Sequence, residues 1–117
     1  VLIVNGKAVS IDHTGYNPRT AIGQRADGTV VLVCTNGRTD EYIGATLPDV
    51  TGILQEYGAV NACALLGGSS ANMLYRDTQG LYGETGTVHM FNPESAELNI
   101  FTGLALRRLP TFWMVKP

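Results

Sequence analysis

Short apolar runs separated by glycine-bearing turns make up most of this chain, and strand-like runs outnumber helix-like ones. Residues 1–4 form a first run, closed by the hairpin dipeptide Asn5-Gly6, with 7–12 as the expected partner strand. Residues 13–18 (HTGYNP) are dense in turn formers and read as a loop. Residues 20–25 predict a strand and Asp27-Gly28 a second hairpin turn. Residues 29–35 (TVVLVCT) predict the strongest strand, rich in β-branched side chains and expected to be covered on both faces. Asn36-Gly37 closes it. Residues 60–66 read as an apolar strand that buries Leu66, followed by a tight turn at 67–70 and a return strand at 72–76. Residues 77–86 read as an exposed loop, and 88–91 and 98–101 as short strands. Residues 104–115 end the chain, with Pro110 marking an edge or irregularity.

One helix is marked, over about 47–57. Thr46 is its expected N-cap, Pro48 suits the first turn, and Asp49 places negative charge at the positive end of the dipole. Val50, Ile53, Leu54 and Tyr57 follow the spacing of one apolar face, and Gly58 is the expected C-cap. Thr51 and Gly52 are poor helix formers, so packing must hold this segment. Many strands and one helix predict an α+β fold with a mixed or mainly antiparallel sheet.

Composition sharpens this picture. The 117 residues suit one domain, and 44% are hydrophobic. Only 15% are charged, against a usual share of about 25%, which argues against disorder and for surface hidden in a larger domain or assembly. A net charge of −2 with scattered basic residues excludes a general nucleic-acid binder. No apolar run approaches the ~18 residues of a membrane span, and no signal-peptide pattern is present. Cys34 and Cys63 lie in apolar runs and read as buried thiols, or as a disulfide between neighbouring strands. Cys and His show no metal-site spacing, and no cofactor is implied. The chain begins at Val1 without a Met, which reads as a piece whose sheet a missing N-terminal segment or self-association completes.

Arg19 and Arg38 carry the clearest candidate chemistry, because a planar guanidinium fork donates two hydrogen bonds to an oxyanion. The bland alternative pairs each with a surface carboxylate. Gly67-Gly68-Ser69-Ser70 admits close backbone approach, and its successive N–H groups are expected to converge on an anion unless it is an ordinary turn. Asn36 ends the strongest strand; its amide can hold a hydroxyl or shape a hairpin turn. His13 lies in a polar loop ahead of Arg19, whereas His89 in an apolar run reads as structural. Asp12, Asp40 and Glu41 are carboxylates near turns that flank these motifs.

Five stretches then occur in a fixed order: Pro18-Arg19-Thr20-Ala21-Ile22-Gly23-Gln24, Asn36-Gly37-Arg38, Gly44-Ala45-Thr46-Leu47, Leu66-Gly67-Gly68-Ser69-Ser70-Ala71-Asn72-Met73, and Arg107-Arg108-Leu109-Pro110-Thr111-Phe112. Together they resemble the phosphodiester glycosidase family from about Pro18 onward, as the C-terminal two-thirds of such a domain. The resemblance implies hydrolysis of a sugar-1-phosphodiester such as an N-acetylglucosamine-1-phosphodiester. It also implies an extracellular or cell-envelope setting, with exopolysaccharide as a related context. Catalytic positions would be Asn36, Ser69 and Ser70; Arg19, Thr20, Arg38, Gly67, Gly68 and His13 would bind substrate. Family members would carry Asp where this chain has Asn36 and Leu66. The alternative is therefore a weakened relative that binds sugar phosphates or envelope glycopolymers.

Overall fold

The computed structural model describes residues 1–81, 83–90, 98–99, 103–104 and 113–116. Five strands form its main sheet: β1 (Ile3–Val4), β2 (Lys7–Ala8), β3 (Arg19–Arg25), β4 (Val30–Thr35) and β5 (Ala59–Ala64). Their order is β2-β1-β5-β3-β4, and every ladder is antiparallel. One α-helix among the described residues, α1 (Leu47–Glu56), links β4 to β5. The α+β expectation holds, with the sheet antiparallel. Two small antiparallel pairs follow: β6 (Leu74–Arg76) with β7 (Val88–Met90), and β8 (Leu98–Asn99) with β9 (Gly103–Leu104). The predicted ending 107–112, with Pro110, lies outside the described residues.

Helix α1 lies on one face of the sheet, because that is where its apolar stripe finds cover. Val50 and Leu54 are fully buried among Leu2, Ile3, Ala21, Ala59 and Ala62. A side chain is missing where Leu54 meets β3: a Cβ on Gly23 would lie 2.9 Å from Leu54 Cδ2. Thr51 is buried too, and its hydroxyl donates to the Leu47 carbonyl 2.9 Å away, which satisfies it inside the helix. The helix stops at Glu56, so Tyr57 becomes the C-cap residue and stays 63% exposed instead of joining the apolar face.

The N-terminus carries a complete capping box. Asp49 N donates to Thr46 Oγ1 at 3.1 Å, and Thr46 N and Oγ1 donate to Asp49 Oδ2 at 2.9 and 2.6 Å. Those two donors, the hydroxyl first, hold the Asp49 carboxyl below its ordinary pKa. A depressed carboxylate pKa contributes stability above the unfolded value near ~3.9, and the contribution fades as pH falls through the folded value. Thr46→Ala is expected to cost about 1 kcal/mol in urea unfolding at neutral pH. The stability gap between the wild type and Asp49→Asn is expected to shrink as the pH is lowered below about 4.

Three further expectations are corrected. The strongest strand is not covered on both faces: β4 is an edge strand, with Val31 and Val33 against the core while Val30 and Leu32 are 55% and 39% exposed. Cys34 and Cys63 are half-buried free thiols, and β3 runs between their strands, with Thr20 opposite Cys34 and Ile22 opposite Cys63. Two strand spacings of roughly 4.8 Å each exceed disulfide reach. Burial pushes the Cys34 thiol up to about 11. The loop after β6 is not wholly exposed either, since Asp77 at its start is fully buried and its Oδ1 accepts from Gln79 N. No helix among the described residues is long and apolar enough to cross a membrane.

Candidate functional site

Antiparallel pairing brings the distant motifs to one end of the sheet. Arg19 at the start of β3 sits opposite Thr35 at the end of β4, and Ala21 sits opposite Ala64 at the end of β5. Whatever follows β4 and β5 must therefore emerge beside whatever precedes β3. Those segments are Asn36-Gly37-Arg38, the Gly67–Ser70 region, and the loop that ends in Asn17-Pro18.

The loop after β5 is stitched to β3 step by step. Leu65 N donates to the Thr20 carbonyl at 2.8 Å, the Thr20 hydroxyl donates to the Leu66 carbonyl, and Gly68 N donates to the Pro18 carbonyl at 2.9 Å. A short 3-10 turn, Gly68–Ser70, then forms with Ala71 N bonded to the Gly68 carbonyl. The N–H groups of Gly68, Ser70 and Ala71 are thus spent on the Pro18, Gly67 and Gly68 carbonyls. The expected nest of free N–H groups is absent from these three positions.

Two side chains flank this turn. A Cβ on Gly68 would lie 3.2 Å from Arg38 Nη1, and one on Gly67 would lie 4.0 Å from Arg19 Nη1. Glycine at 68 leaves room for the Arg38 guanidinium and sits at φ +64°, where a side chain is strained, whereas a Cβ on Gly67 would meet the Pro18 carbonyl at 2.9 Å. Arg19 is half-buried. Its Nε donates to the Ala45 carbonyl at 3.1 Å and its Nη2 to the Gly15 carbonyl at 2.8 Å. Arg38 is exposed, and its Nε and Nη2 donate to Asn17 Oδ1 at 3.2 and 2.8 Å. Among the described residues both cations are held by carbonyl oxygens, not by the carboxylates of the bland alternative.

The remaining predicted residues take different places. His13 is exposed, and its ring packs toward Gly15, whose carbonyl holds Arg19. Asn36 is half-buried directly after β4, at the same end of the sheet. Ser69 and Ser70 form the 3-10 turn with Gly68. Thr20 has its hydroxyl engaged with the Leu66 carbonyl. Leu66 is no interior strand residue: β5 ends at Ala64, and Leu66 is 46% exposed in the loop. Asp12, Asp40 and Glu41 are exposed, the last two at the tip of a turn in which Thr39 and Tyr42 bond each other. The residue missed by pattern reading is Asn17, whose only sequence signal was its place before Pro18-Arg19. No group of three or more His, Cys, Asp or Glu side chains among the described residues could hold a metal ion.

Parts of this chain are similar to known proteins. A 55-residue stretch, 47% of the chain, is 42% identical to the SPbeta prophage-derived uncharacterized protein YomE of Bacillus subtilis strain 168, and covers 8% of that protein. The crystal structure of a hypothetical protein from Synechocystis is similar with a TM-score of 0.51 and 34% identity, over 61% of this chain and 15% of that one. The chain thus spans only a small part of either relative's length. The phosphodiester glycosidase family matches residues 1–116, which takes in the β1–β2 hairpin ahead of the motifs that begin at Pro18. This chain belongs to the phosphodiester glycosidase family.

Proposed function

We propose that this chain carries the phosphate-holding part of a site that hydrolyses sugar-1-phosphodiesters, with an N-acetylglucosamine-1-phosphodiester as the substrate class. One observation carries the reading: Nη1 of Arg19 and of Arg38 flank the Gly67-Gly68 turn, neither cation paired with a carboxylate among the described residues. A phosphate diester is a singly charged oxyanion, and guanidinium donors match it in charge and geometry. Cleavage at the anomeric carbon develops oxocarbenium character on the sugar and charge on the departing phosphate. Donors fixed beside that phosphate stabilise the second change as it develops. Gly67, Gly68 and the hydroxyls of Thr20 and Ser70 would line the sugar side, with Ser69 in the same turn, His13 at the rim and Asn36 holding a sugar hydroxyl. An extracellular or envelope glycopolymer is the source of substrate that fits the family.

A second reading is binding without rapid turnover. It is favoured by the neutral residues Asn36 and Leu66, the latter exposed in the loop that bears the turn. General acid–base groups contribute roughly 10²–10⁴-fold to such reactions. Sugar release from a simple N-acetylglucosamine-1-phosphodiester is therefore expected to rise by about 100-fold or more when Asn36→Asp and Leu66→Asp are combined, from a slow rate in the unmodified chain. Release only in the double variant would favour the binding reading for the natural chain. No release from either, in folded samples, overturns the hydrolytic reading.

A further inference from the structure

We infer that Asn17 is the positioning residue for Arg38, and that its neutrality keeps the Arg38 charge available for an anion. The inference rests on the anion-site reading above. Two donors of one guanidinium, Nε and Nη2, converge on a single Asn17 atom at 3.2 and 2.8 Å, which identifies that atom as the amide oxygen. This grip fixes the plane of the fork and leaves Nη1 over Gly68. It acts on a side chain that otherwise has every reason to wander: Arg38 is exposed and its backbone sits at φ +63°, a left-handed conformation unusual for a residue with a side chain.

Asn17 can act as an anchor because its own backbone is fixed twice over. Its N–H donates to the Ala45 carbonyl at 3.2 Å, and its carbonyl accepts from Ala45 N at 3.0 Å. Gly44 packs against the same peptide so closely that a Cβ there would lie 2.6 Å from Asn17 C. The anchor is thus joined to the segment that leads into α1.

An aspartate would fit the same space and accept the same two bonds, more strongly, as a charge-assisted pair. It would also cancel the Arg38 charge at contact distance. An amide oxygen orients the cation without neutralising it, which suits a group that must still meet a phosphate. Position 17 therefore sets both the direction and the effective charge of Arg38.

The test uses the full chain, inorganic phosphate as the probe at low ionic strength, and three variants: Asn17→Asp, Asn17→Ala and Arg38→Ala. The Arg38 Nε–H is expected to exchange slowly in ¹⁵N NMR spectra of the wild type and of Asn17→Asp, and to lose that protection in Asn17→Ala. Phosphate affinity is expected to fall by about tenfold or more in Asn17→Asp, the scale of one opposing charge near a protein surface, although its melting temperature does not fall. A residue with a merely structural role would leave Asn17→Asp binding phosphate like the wild type, and that result overturns the inference. Retained Nε–H protection in Asn17→Ala overturns it as well. Because Asn17→Asp keeps the side-chain shape and the backbone bridge, the test does not depend on the alanine variant folding. Equal phosphate affinities for the wild type and Arg38→Ala would instead remove the anion-site reading, and this inference with it.

Discussion

Alanine at position 44 is expected to cost the fold about 3 kcal/mol or more, read as a shift of the urea midpoint with the slope unchanged. Two penalties combine. Gly44 sits at φ +104°, where an L side chain is strained whatever space surrounds it. The added Cβ would also lie 2.6–2.7 Å from the C, N and O atoms of Asn17, all of them backbone. A flexible side chain could swing away, but this backbone is held by the Asn17–Ala45 bridge. Relief would require the bridge to open, and Gly37 is packed into the same place, against Gly44 Cα and Pro18. A cost below about 1 kcal/mol would mean that the two segments are not in contact in solution.

Leu54→Ala is expected to cost about 3–5 kcal/mol, because a fully buried side chain leaves a cavity that a rigid sheet cannot collapse to fill. The void would open above Gly23, where a Cβ would sit 2.9 Å from Leu54 Cδ2 and from the Ala59 Cβ. Gly23→Ala alone overpacks that contact and is expected to cost about 1–3 kcal/mol. The pair shares one volume, so the double variant is expected to lose less than the two single losses added, by about 1 kcal/mol in a double-mutant cycle. Strict additivity would mean that α1 does not pack on β3 at this point.

Local chemistry was legible wherever it resides in neighbouring residues. Thr46, Pro48 and Asp49 mark the helix start because a capping box is closed within four residues. The hairpin at Asp27-Gly28 is equally local: Thr29 N donates to Asp27 Oδ1, and Gly28 N to the Arg25 carbonyl. Arg19, Arg38 and the Gly67–Ser70 motif were legible as an ordered set, but their meeting depends on β3 pairing with both β4 and β5, which no local pattern encodes. The open face of β4 is not encoded in its composition, because β-branched residues suit central and edge strands alike. The pattern places Leu66 in the strand because Leu65-Leu66 continues the apolar run past the point where β5 ends at Ala64. Asn17 carries no such local signal, because an Asn before Pro looks like a turn residue and its bond to Arg38 spans 21 positions.

The β3–β4 hairpin also has a consequence in time. Its turn lies at 25–29, and its ladder runs from Gln24↔Val30 to Arg19↔Thr35 at the open end. A hairpin that zips from its turn within microseconds closes the Arg19–Thr35 pair last. Arg38 lies three residues further on, and the Gly67–Ser70 turn joins only after the chain has passed through α1 and β5. The Gly67-Gly68 turn thus meets the two cations only once β5 has paired with β3. A partly folded chain, with its hairpin formed and β5 still unpaired, has the arginines but no site.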